Sequence, residues 1–132
     1  MISCGLAAVG CLVNTIAAKV FVSVSVRAPA NLKGGFDPAK AEKEAAGPGA
    51  QWTIKAQLNE AEYAGPAIAT LLFLESQGAS APLGAALVLG GQVAYFWLVA
   101  LTRSQLAKPV GASLRYAGLV LLAVALHDAV AR

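Results

Sequence analysis

A stripe of polar residues lies in the middle of an otherwise apolar chain. Its members are separated by four, three and four residues, which places them on one face of a helix. They are Lys55, Asn59, Glu62 and Pro66. Gln57 and Tyr63 are close to this stripe in the sequence and carry further hydrogen-bonding groups.

A cation, a carboxamide and a carboxylate on one face suit a zwitterionic ligand. Lys55 can pair with a ligand carboxylate, Glu62 with an ammonium group and Asn59 with an amide. The same side chains can instead satisfy polar partners on neighbouring helices. Both interpretations stay open, because each keeps ionised groups away from lipid, where each would cost several kcal/mol.

The composition indicates that this helix lies in a membrane. Of the 132 residues, 58% are hydrophobic and 13% are charged, and the mean hydropathy is +0.65. Soluble domains usually hold about 25% charged residues. A transmembrane helix needs about 20 mostly apolar residues, so four such helices use almost the whole chain. The sequence therefore predicts an all-α integral membrane four-helix bundle that forms a single domain over residues 1–132.

Apolar runs and helix-breaking residues predict where the four helices lie. We expect them at about residues 2–26, 51–75, 83–101 and 109–127. Residues 28–49 combine prolines, glycines and charges of both signs, which is typical of an exposed link, with a short helical turn expected near 39–46. Pro66 should kink the second helix or remove one of its hydrogen bonds.

The third helix has two further features. Gly84, Gly90 and Gly91 predict close contact with another helix. The aromatic run from Tyr95 to Trp97 is typical of a belt at the membrane interface.

The lysines and arginines predict the orientation of the bundle. They concentrate in the first and third links, whereas the second link has none. By the positive-inside rule, the first and third links face the cytoplasm and both termini lie on the other side. The net charge of +3 is then explained by basic links, and the absence of basic runs interleaved with aromatic residues argues against nucleic-acid binding.

Other reactive residues give weaker signals. Cys4 and Cys11 are about 10 Å apart along a helix, too far for a disulfide, and are interpreted as packing residues. His127 is the only histidine and lies beside Asp128 at a helix end, where it is expected to cap the helix or to lie at the membrane interface, and no metal-binding spacing is present. Arg115, inside the fourth helix, is expected either to snorkel to the interface or to pair with Glu62.

The polar stripe resembles the signature helix of the MAPEG family, the membrane-associated proteins in eicosanoid and glutathione metabolism. The matching run is Lys55-Ala-Gln-Leu-Asn-Glu-Ala-Glu-Tyr63, followed by Pro66 and an apolar stretch over 67–74. The family pattern is Arg-Ala-Gln-x-Asn-x-x-Glu-Tyr, then a proline and a leucine-rich run. Within the family, the run in this chain resembles those of leukotriene-C synthase and the microsomal glutathione transferases.

The resemblance extends beyond the second helix. Ser25 and Arg27 match the end of the family's first helix, and Tyr95 with Phe96 matches an aromatic pair in its third. The third link and the start of the fourth helix also match, at Arg103, Ser104, Gln105, Leu106, Pro109, Ala112, Ser113 and Arg115.

The resemblance implies a homotrimer in the lipid bilayer that binds glutathione as co-substrate between neighbouring subunits. It implies that glutathione is held by Arg27, Lys55, Gln57, Asn59, Glu62, Tyr63 and Tyr95. Arg103, or Lys108 from the same link, would replace the family arginine that stabilises the thiolate. A nearby guanidinium lowers the pKa of a thiol, and the thiolate is the nucleophile. The expected function is a glutathione-dependent transferase or peroxidase acting on a lipophilic small molecule.

The chain departs from the family pattern at several positions. Lys55 replaces an arginine and loses its bidentate fork, and Gly65 is inserted before the proline. Gln92 and Leu106 stand where the family has arginines, and Val99 stands where it has a second tyrosine. These replacements favour a second hypothesis, a non-enzymatic member that binds a lipid or serves as an accessory subunit of a larger membrane complex. The family implies endoplasmic reticulum or nuclear membranes, with another organellar membrane as the alternative.

Overall fold

The computed structural model describes residues 2–33, 35, 37, 39–40 and 47–131, and this part of the chain contains helices and no strands. It forms four long helices, α1 (Cys4–Lys33), α2 (Pro48–Ser76), α3 (Pro82–Thr102) and α4 (Lys108–Val130). A short 3₁₀ turn, Gln105–Ala107, leads directly into α4. Within the described residues, three segments are long and apolar enough to cross a membrane, namely Cys4–Lys33, Pro82–Thr102 and Gln105–Val130.

The first helix extends beyond its predicted end near residue 26. It is α-helical over Cys4–Val22, π-helical over Ser23–Arg27 and α-helical again over Ala28–Lys33. Pro29 explains the π-helical turn, because a proline ring clashes with the carbonyl group four residues earlier and a wider turn relieves that clash. The first link therefore begins after Lys33, and most of the helical turn expected near 39–46 lies outside the described residues.

The second helix includes two prolines. Pro48 occupies its first turn, where the missing N–H has no helical partner to lose. Pro66 lies in the interior, and the α-helix continues through it to Ser76. Because proline has no N–H, the carbonyl group of Glu62 lacks its usual helical donor, which is the lost hydrogen bond expected at this position.

Helices α3 and α4 form the closest pair in the bundle. A Cβ atom on Gly91 would lie 2.7 Å from Cα of Arg115, and one on Gly111 would lie 2.7 Å from Cβ of Tyr95. Glycine is therefore required at both crossings. Gly90, which was also expected to make a close contact, is exposed and has open space around it, so that prediction was wrong. It lies 100° around the helix from Gly91 and points away from α4.

Contacts at the two ends of the bundle show that α2 is antiparallel to α1 and α3. At one end the backbone N–H of Gly5 donates to Glu75 Oε2 at 2.8 Å, which joins the start of α1 to the end of α2. At the other end a Cβ on Gly49 would lie 3.2 Å from the side chain of Arg103. The end of α1, the start of α2 and the end of α3 therefore lie together, at an end of the bundle that carries Arg27, Lys33 and Arg103 and is called the basic end below.

Two apolar clusters fill the interior. The first joins the N-terminal half of α1 to the C-terminal half of α2, the start of α3 and the middle of α4; its buried members are Cys4, Ala7, Ala8, Cys11, Ala67, Leu71, Leu74, Ala85, Val88 and Leu122. The second lies towards the basic end, with buried members Ala18, Val22, Ala56, Tyr95, Phe96, Val99 and Ala100. Both cysteines are free, as their spacing predicted.

The aromatic run of α3 does not form an interfacial belt. Phe96 is fully buried and packs edge-on against Phe21 and Trp97, with ring centroids 6.0 and 4.9 Å away. Tyr95 is also buried. The prediction failed because α3 is packed against all three other long helices, so most of its surface faces protein.

Candidate functional site

A layer of polar residues crosses the bundle between the two apolar clusters. On each helix the layer occupies the positions that separate the members of one cluster from those of the other. Its residues are Asn14 and Thr15 on α1, Asn59, Glu60 and Tyr63 on α2, Gln92 on α3, and Arg115 and Tyr116 on α4. The interior is therefore divided into apolar, polar and apolar zones along its length.

Arg115 is the centre of one half of this layer. Its side chain is 1% exposed, and its Nη2 donates to Asn59 Oδ1 at 2.9 Å while its Nη1 donates to Gln92 Oε1 at 3.2 Å. It forms no ion pair with Glu62 or any other described acid within 4.0 Å. Both expectations for Arg115 were wrong, since it neither snorkels nor pairs with Glu62. Its close backbone contact with Gly91 holds it inside the bundle.

Three tyrosine rings surround the guanidinium group. The Cζ atom of Arg115 lies 4.0 Å from the ring centroid of Tyr63, 4.6 Å from that of Tyr95 and 5.3 Å from that of Tyr116. These are cation–π distances. The hydroxyl groups of Tyr63 and Tyr116 are 3.2 Å apart and form a hydrogen bond on the outer side of the cluster. The buried positive charge is thus stabilised by amide oxygens and aromatic faces.

Glu60 is the centre of the other half of the layer. Its side chain is fully buried, and its Oε1 accepts from Asn14 Nδ2 at 3.0 Å and from Thr15 Oγ1 at 2.9 Å. Asn14 Oδ1 in turn accepts from Trp97 Nε1 at 3.0 Å. The network connects α1, α2 and α3 through polar side chains.

Several atoms of the layer retain unused hydrogen-bonding capacity. Among the described residues, the buried side-chain atoms without a partner are Gln57 Oε1, Glu60 Oε2, Gln92 Nε2 and Arg115 Nε. Buried polar atoms are nearly always satisfied in native proteins. These atoms can therefore bind an ordered water or a polar ligand group that reaches the layer.

The stripe predicted on α2 is divided between two environments. Lys55 and Glu62 are exposed, and within the described residues neither has a hydrogen-bond or ion-pair partner. Asn59 and Tyr63 lie at the edge of the stripe nearest α4 and contact Arg115. Gln57 lies on the opposite, buried face of α2, about 160° around the helix from Lys55, and is separated from the stripe.

The two arginines of the predicted site lie away from the tyrosine cluster. Arg27 is exposed in the π-helical turn of α1. Arg103 caps α3 in the left-handed conformation, with φ of 50°, and its side chain lies over Gly49 at the start of α2. The structure thus brings Asn59, Tyr63 and Tyr95 together around Arg115 and leaves Arg103 at the basic end.

Arg103 lines a cavity of about 260 Å³ between α1, α2 and α3. Polar groups of Ser25, Lys33 and Thr53 contribute to the same lining. An apolar groove of about 660 Å³ runs along α1 and shares Phe21 and Ser25 with this cavity. A polar space with a cation therefore adjoins a surface suited to an acyl chain or another lipophilic group.

The sequence patterns missed four members of the polar layer, Asn14, Thr15, Glu60 and Tyr116. Glu60 falls between two stripe positions, on a different face of α2 from the polar stripe. The signal was the apolar spacing on the buried side of α2, where Glu60 occupies a position between Ala56 and Ala64. A carboxyl group at that position indicates a polar partner on the facing helix.

Comparison with protein-family models gives a match to the MAPEG family over residues 4–127. Comparisons with curated proteins and with solved structures give no match. The family contains glutathione transferases and peroxidases as well as non-enzymatic members. Because the family match covers nearly the whole chain and the apolar helices agree with it, this chain is an integral membrane protein of the MAPEG family.

Proposed function

We propose that this protein is a membrane-bound, glutathione-dependent transferase or peroxidase acting on lipophilic electrophiles. The observation that carries the proposal is a pair of exposed charged residues on α2, Lys55 and Glu62, on either side of Asn59. Neither has a hydrogen-bond or ion-pair partner among the described residues. Ionised groups on a helix within a membrane are rare and usually face a polar site. A peptide ligand with carboxylate, ammonium and amide groups complements this arrangement.

The proposal includes a bilayer topology with four crossings. Helix α2 has 29 residues and is about 43 Å long, which exceeds the hydrocarbon thickness of about 30 Å. It packs antiparallel to α1, and its start lies beside the end of α3. Its polar half lowers its mean hydropathy, and facing a ligand and a neighbouring copy would keep that half out of lipid. We therefore propose one four-helix domain over the whole chain, assembled as a homotrimer.

In this assembly glutathione binds where one copy presents Lys55, Asn59, Glu62, Tyr63 and Tyr95 and a neighbour presents Arg27 and Arg103. Gln57 was also expected at this site, but it faces the interior of its own bundle and is left out of the proposal. The separation of Arg103 from the tyrosine cluster within one chain supports a contribution from the neighbouring copy. The groove along α1 provides a place for the lipophilic substrate beside the Arg103 cavity. The proposed kinship with leukotriene-C synthase and microsomal glutathione transferases rests on the motif in α2.

Glutathione binding in detergent tests the proposal. Calorimetric titration should show saturable heat at millimolar glutathione, together with a rise in melting temperature. Lys55→Ala and Glu62→Gln should each weaken binding about tenfold, because each removes a charge-assisted contact. Lys19→Ala is the matched control, since Lys19 is an exposed lysine of α1 outside the site. Neither heat nor a melting shift in the unaltered protein would refute the proposal.

A specific observation favours the second candidate, a non-enzymatic member of the family. Leu106, which stands where the thiolate-stabilising arginine is expected, is 89% exposed and gives no charge to the site. Such a member would bind a lipid or act as an accessory subunit of a larger membrane complex. Purification from native membranes distinguishes the two candidates: a free trimer supports the enzyme, and stoichiometric co-purification with a large assembly supports the subunit.

The proposed location is the endoplasmic reticulum or nuclear envelope, which the family habitually occupies, with another organellar membrane as the alternative. Imaging of a tagged full-length chain against markers of these membranes tests this part of the proposal.

A further inference from the structure

Tyr116 presents a phenol group at the outer edge of the polar layer. Its side chain is 47% exposed, whereas Arg115 behind it is 1% exposed. Its ring lies edge-on to that of Tyr63, with centroids 5.7 Å apart and planes at 65°. The motif that predicted the glutathione residues did not include Tyr116, so its position in the cluster comes from the fold alone.

The hydroxyl pair leaves one proton available to a ligand. A phenol has one hydrogen to donate, and in the 3.2 Å contact one hydroxyl of Tyr63 and Tyr116 donates while the other accepts. The hydrogen of the accepting hydroxyl is therefore not used within the pair. When Tyr63 is the donor in this contact, the unused hydrogen is on Tyr116, which is half exposed and can donate it to a group outside the cluster. Hydrogen bonds in such a chain polarise one another, which strengthens the outward donor.

The charge behind the pair favours an anion as the acceptor. Arg115 lies within cation–π distance of both rings, and its two donating nitrogens contact neutral amide oxygens. Glu60 is within electrostatic range of Arg115 but is already bound by Asn14 and Thr15. Glu62, on the exposed face of α2, interacts electrostatically with Tyr63. The described groups that face Tyr116 directly are Arg115, Tyr63 and Tyr95. Among them only Arg115 is charged, and it has no ion-pair partner among the described acids.

We propose that the Tyr63–Tyr116 hydroxyl pair, polarised by Arg115, donates a hydrogen bond to an anionic group of the ligand. This inference rests on the proposed function, and the anion is then the thiolate or a carboxylate of glutathione. Tyr116 contacts the ligand, and Arg115 is a positioning residue that acts through the two rings. The site thus acquires an anion donor from α4 in addition to the residues of the α2 motif.

The test measures binding of glutathione and of S-methylglutathione to the detergent-solubilised protein with and without Tyr116→Phe. The substitution keeps the ring in contact with Arg115 and removes the hydroxyl alone. We expect at least a tenfold loss of glutathione affinity, because a hydrogen bond to an ionised group is lost. Ser113→Ala is the matched control, since it removes an exposed hydroxyl of α4 that has no described partner.

The two ligands identify the anion. A loss confined to glutathione, accompanied by loss of the ultraviolet thiolate absorbance of the complex, supports the thiolate. An equal loss for both ligands supports a carboxylate. Unchanged affinity for both ligands and unchanged thiolate absorbance would overturn the inference and leave the proposed function standing. If the unaltered protein binds neither ligand, the proposed function fails and the inference fails with it.

Tyr63→Phe provides a second variant that also keeps the ring stacking. It leaves the Tyr116 hydroxyl without its hydrogen-bond partner. We therefore expect a smaller loss of affinity than with Tyr116→Phe, and we expect it for the same ligand that Tyr116→Phe affects. Arg115→Lys tests the positioning role: it retains the charge but loses the planar stacking on the tyrosine rings. Binding should weaken in Arg115→Lys, and adding Tyr116→Phe to it should cost less than Tyr116→Phe costs alone. If Tyr116→Phe costs the same binding energy with and without Arg115→Lys, Arg115 does not act on the ligand through the tyrosine rings.

Discussion

Glu60 and Arg115 are two buried charged residues at the same level of the bundle, and the structure stabilises them differently. Glu60 is enclosed by Asn14 and Thr15 of α1 and has no exposed surface. Arg115 donates hydrogen bonds to Asn59 and Gln92. Its guanidinium also contacts tyrosine rings, and one of these belongs to Tyr116, whose side chain is half exposed. Neither charge forms a direct ion pair in the described part of the chain.

The difference separates a structural half of the layer from a half that can reach a ligand. Removing a charged group from water costs several kcal/mol unless hydrogen bonds replace its hydration. On the Glu60 side those bonds join α1 to α2 and, through Asn14, to Trp97 of α3. On the Arg115 side the same requirement is met by groups that also border the exposed stripe of α2. Binding capacity is therefore expected on one side of the bundle.

Loss of Arg115 should have the largest effect on stability. Arg115→Leu leaves the buried Gln92 oxygen and the half-buried Asn59 oxygen without donors, and it leaves a gap among the tyrosine rings. Each unsatisfied group costs about 1–3 kcal/mol, so we expect the free energy of unfolding to fall by about 4 kcal/mol. Unfolding by sodium dodecyl sulfate in mixed micelles, followed by tryptophan fluorescence, measures it. Lys19→Leu, which replaces an exposed cation, should change it by less than about 0.5 kcal/mol.

The α3–α4 crossing gives a second way to separate the two halves. Gly91→Ala places a Cβ against the backbone of Arg115 and must push α4 away, at a cost of about 3 kcal/mol. Gly90→Ala is the neighbouring control, because Gly90 faces open space and alanine has the higher helix propensity. We expect Gly91→Ala alone to weaken glutathione binding. Equal melting temperatures for the two variants would show that the crossing does not hold Arg115 in place.

Two substitutions of Glu60 test whether its half of the layer is structural. Glu60→Ala removes the acceptor of Asn14 and Thr15 and should lower the free energy of unfolding by about 2 kcal/mol. Glu60→Gln keeps an oxygen at the same position and should cost less than 1 kcal/mol. Both variants should bind glutathione within twofold of the unaltered protein at saturating detergent and low temperature. A large loss of binding in Glu60→Gln would instead place its charge in the ligand site.

Sequence patterns predicted the helices well because apolar length and helix-breaking residues are local signals. All four long helices were found, and the largest error was at the end of α1, where a π-helical turn accommodates Pro29. That accommodation depends on the wider turn formed by Ser23–Arg27, which no composition rule anticipates. The aromatic run of α3 was misplaced for a related reason, since burial of Phe96 depends on which helices pack around α3.

The site was predicted less completely because it depends on rotation between helices. Spacing on α2 identified the face of Lys55, Asn59 and Glu62, but it could not show that Asn59 turns towards α4. Arg115 was recognised as costly in a membrane helix, yet its partners turned out to be amides and tyrosine rings on three helices. A buried charge in a sequence therefore predicts that partners exist, and their identity comes from packing.

Substitution of Trp97 is expected to have a smaller effect than Glu60→Ala, and it completes the test of the Glu60 half. Trp97→Phe removes one hydrogen bond to Asn14 Oδ1 while keeping an aromatic ring near Phe21 and Phe96. Side-chain hydrogen bonds between membrane helices average about 0.6 kcal/mol, and we expect a loss of about 1 kcal/mol when the smaller ring is included. Circular dichroism during unfolding measures it, since a reporter tryptophan is lost. If Glu60→Ala is already present, the added cost of Trp97→Phe should shrink, because Asn14 is then free to turn away from both positions. Fully additive costs would mean that the two contacts of Asn14 are independent and that this half of the layer is not one network.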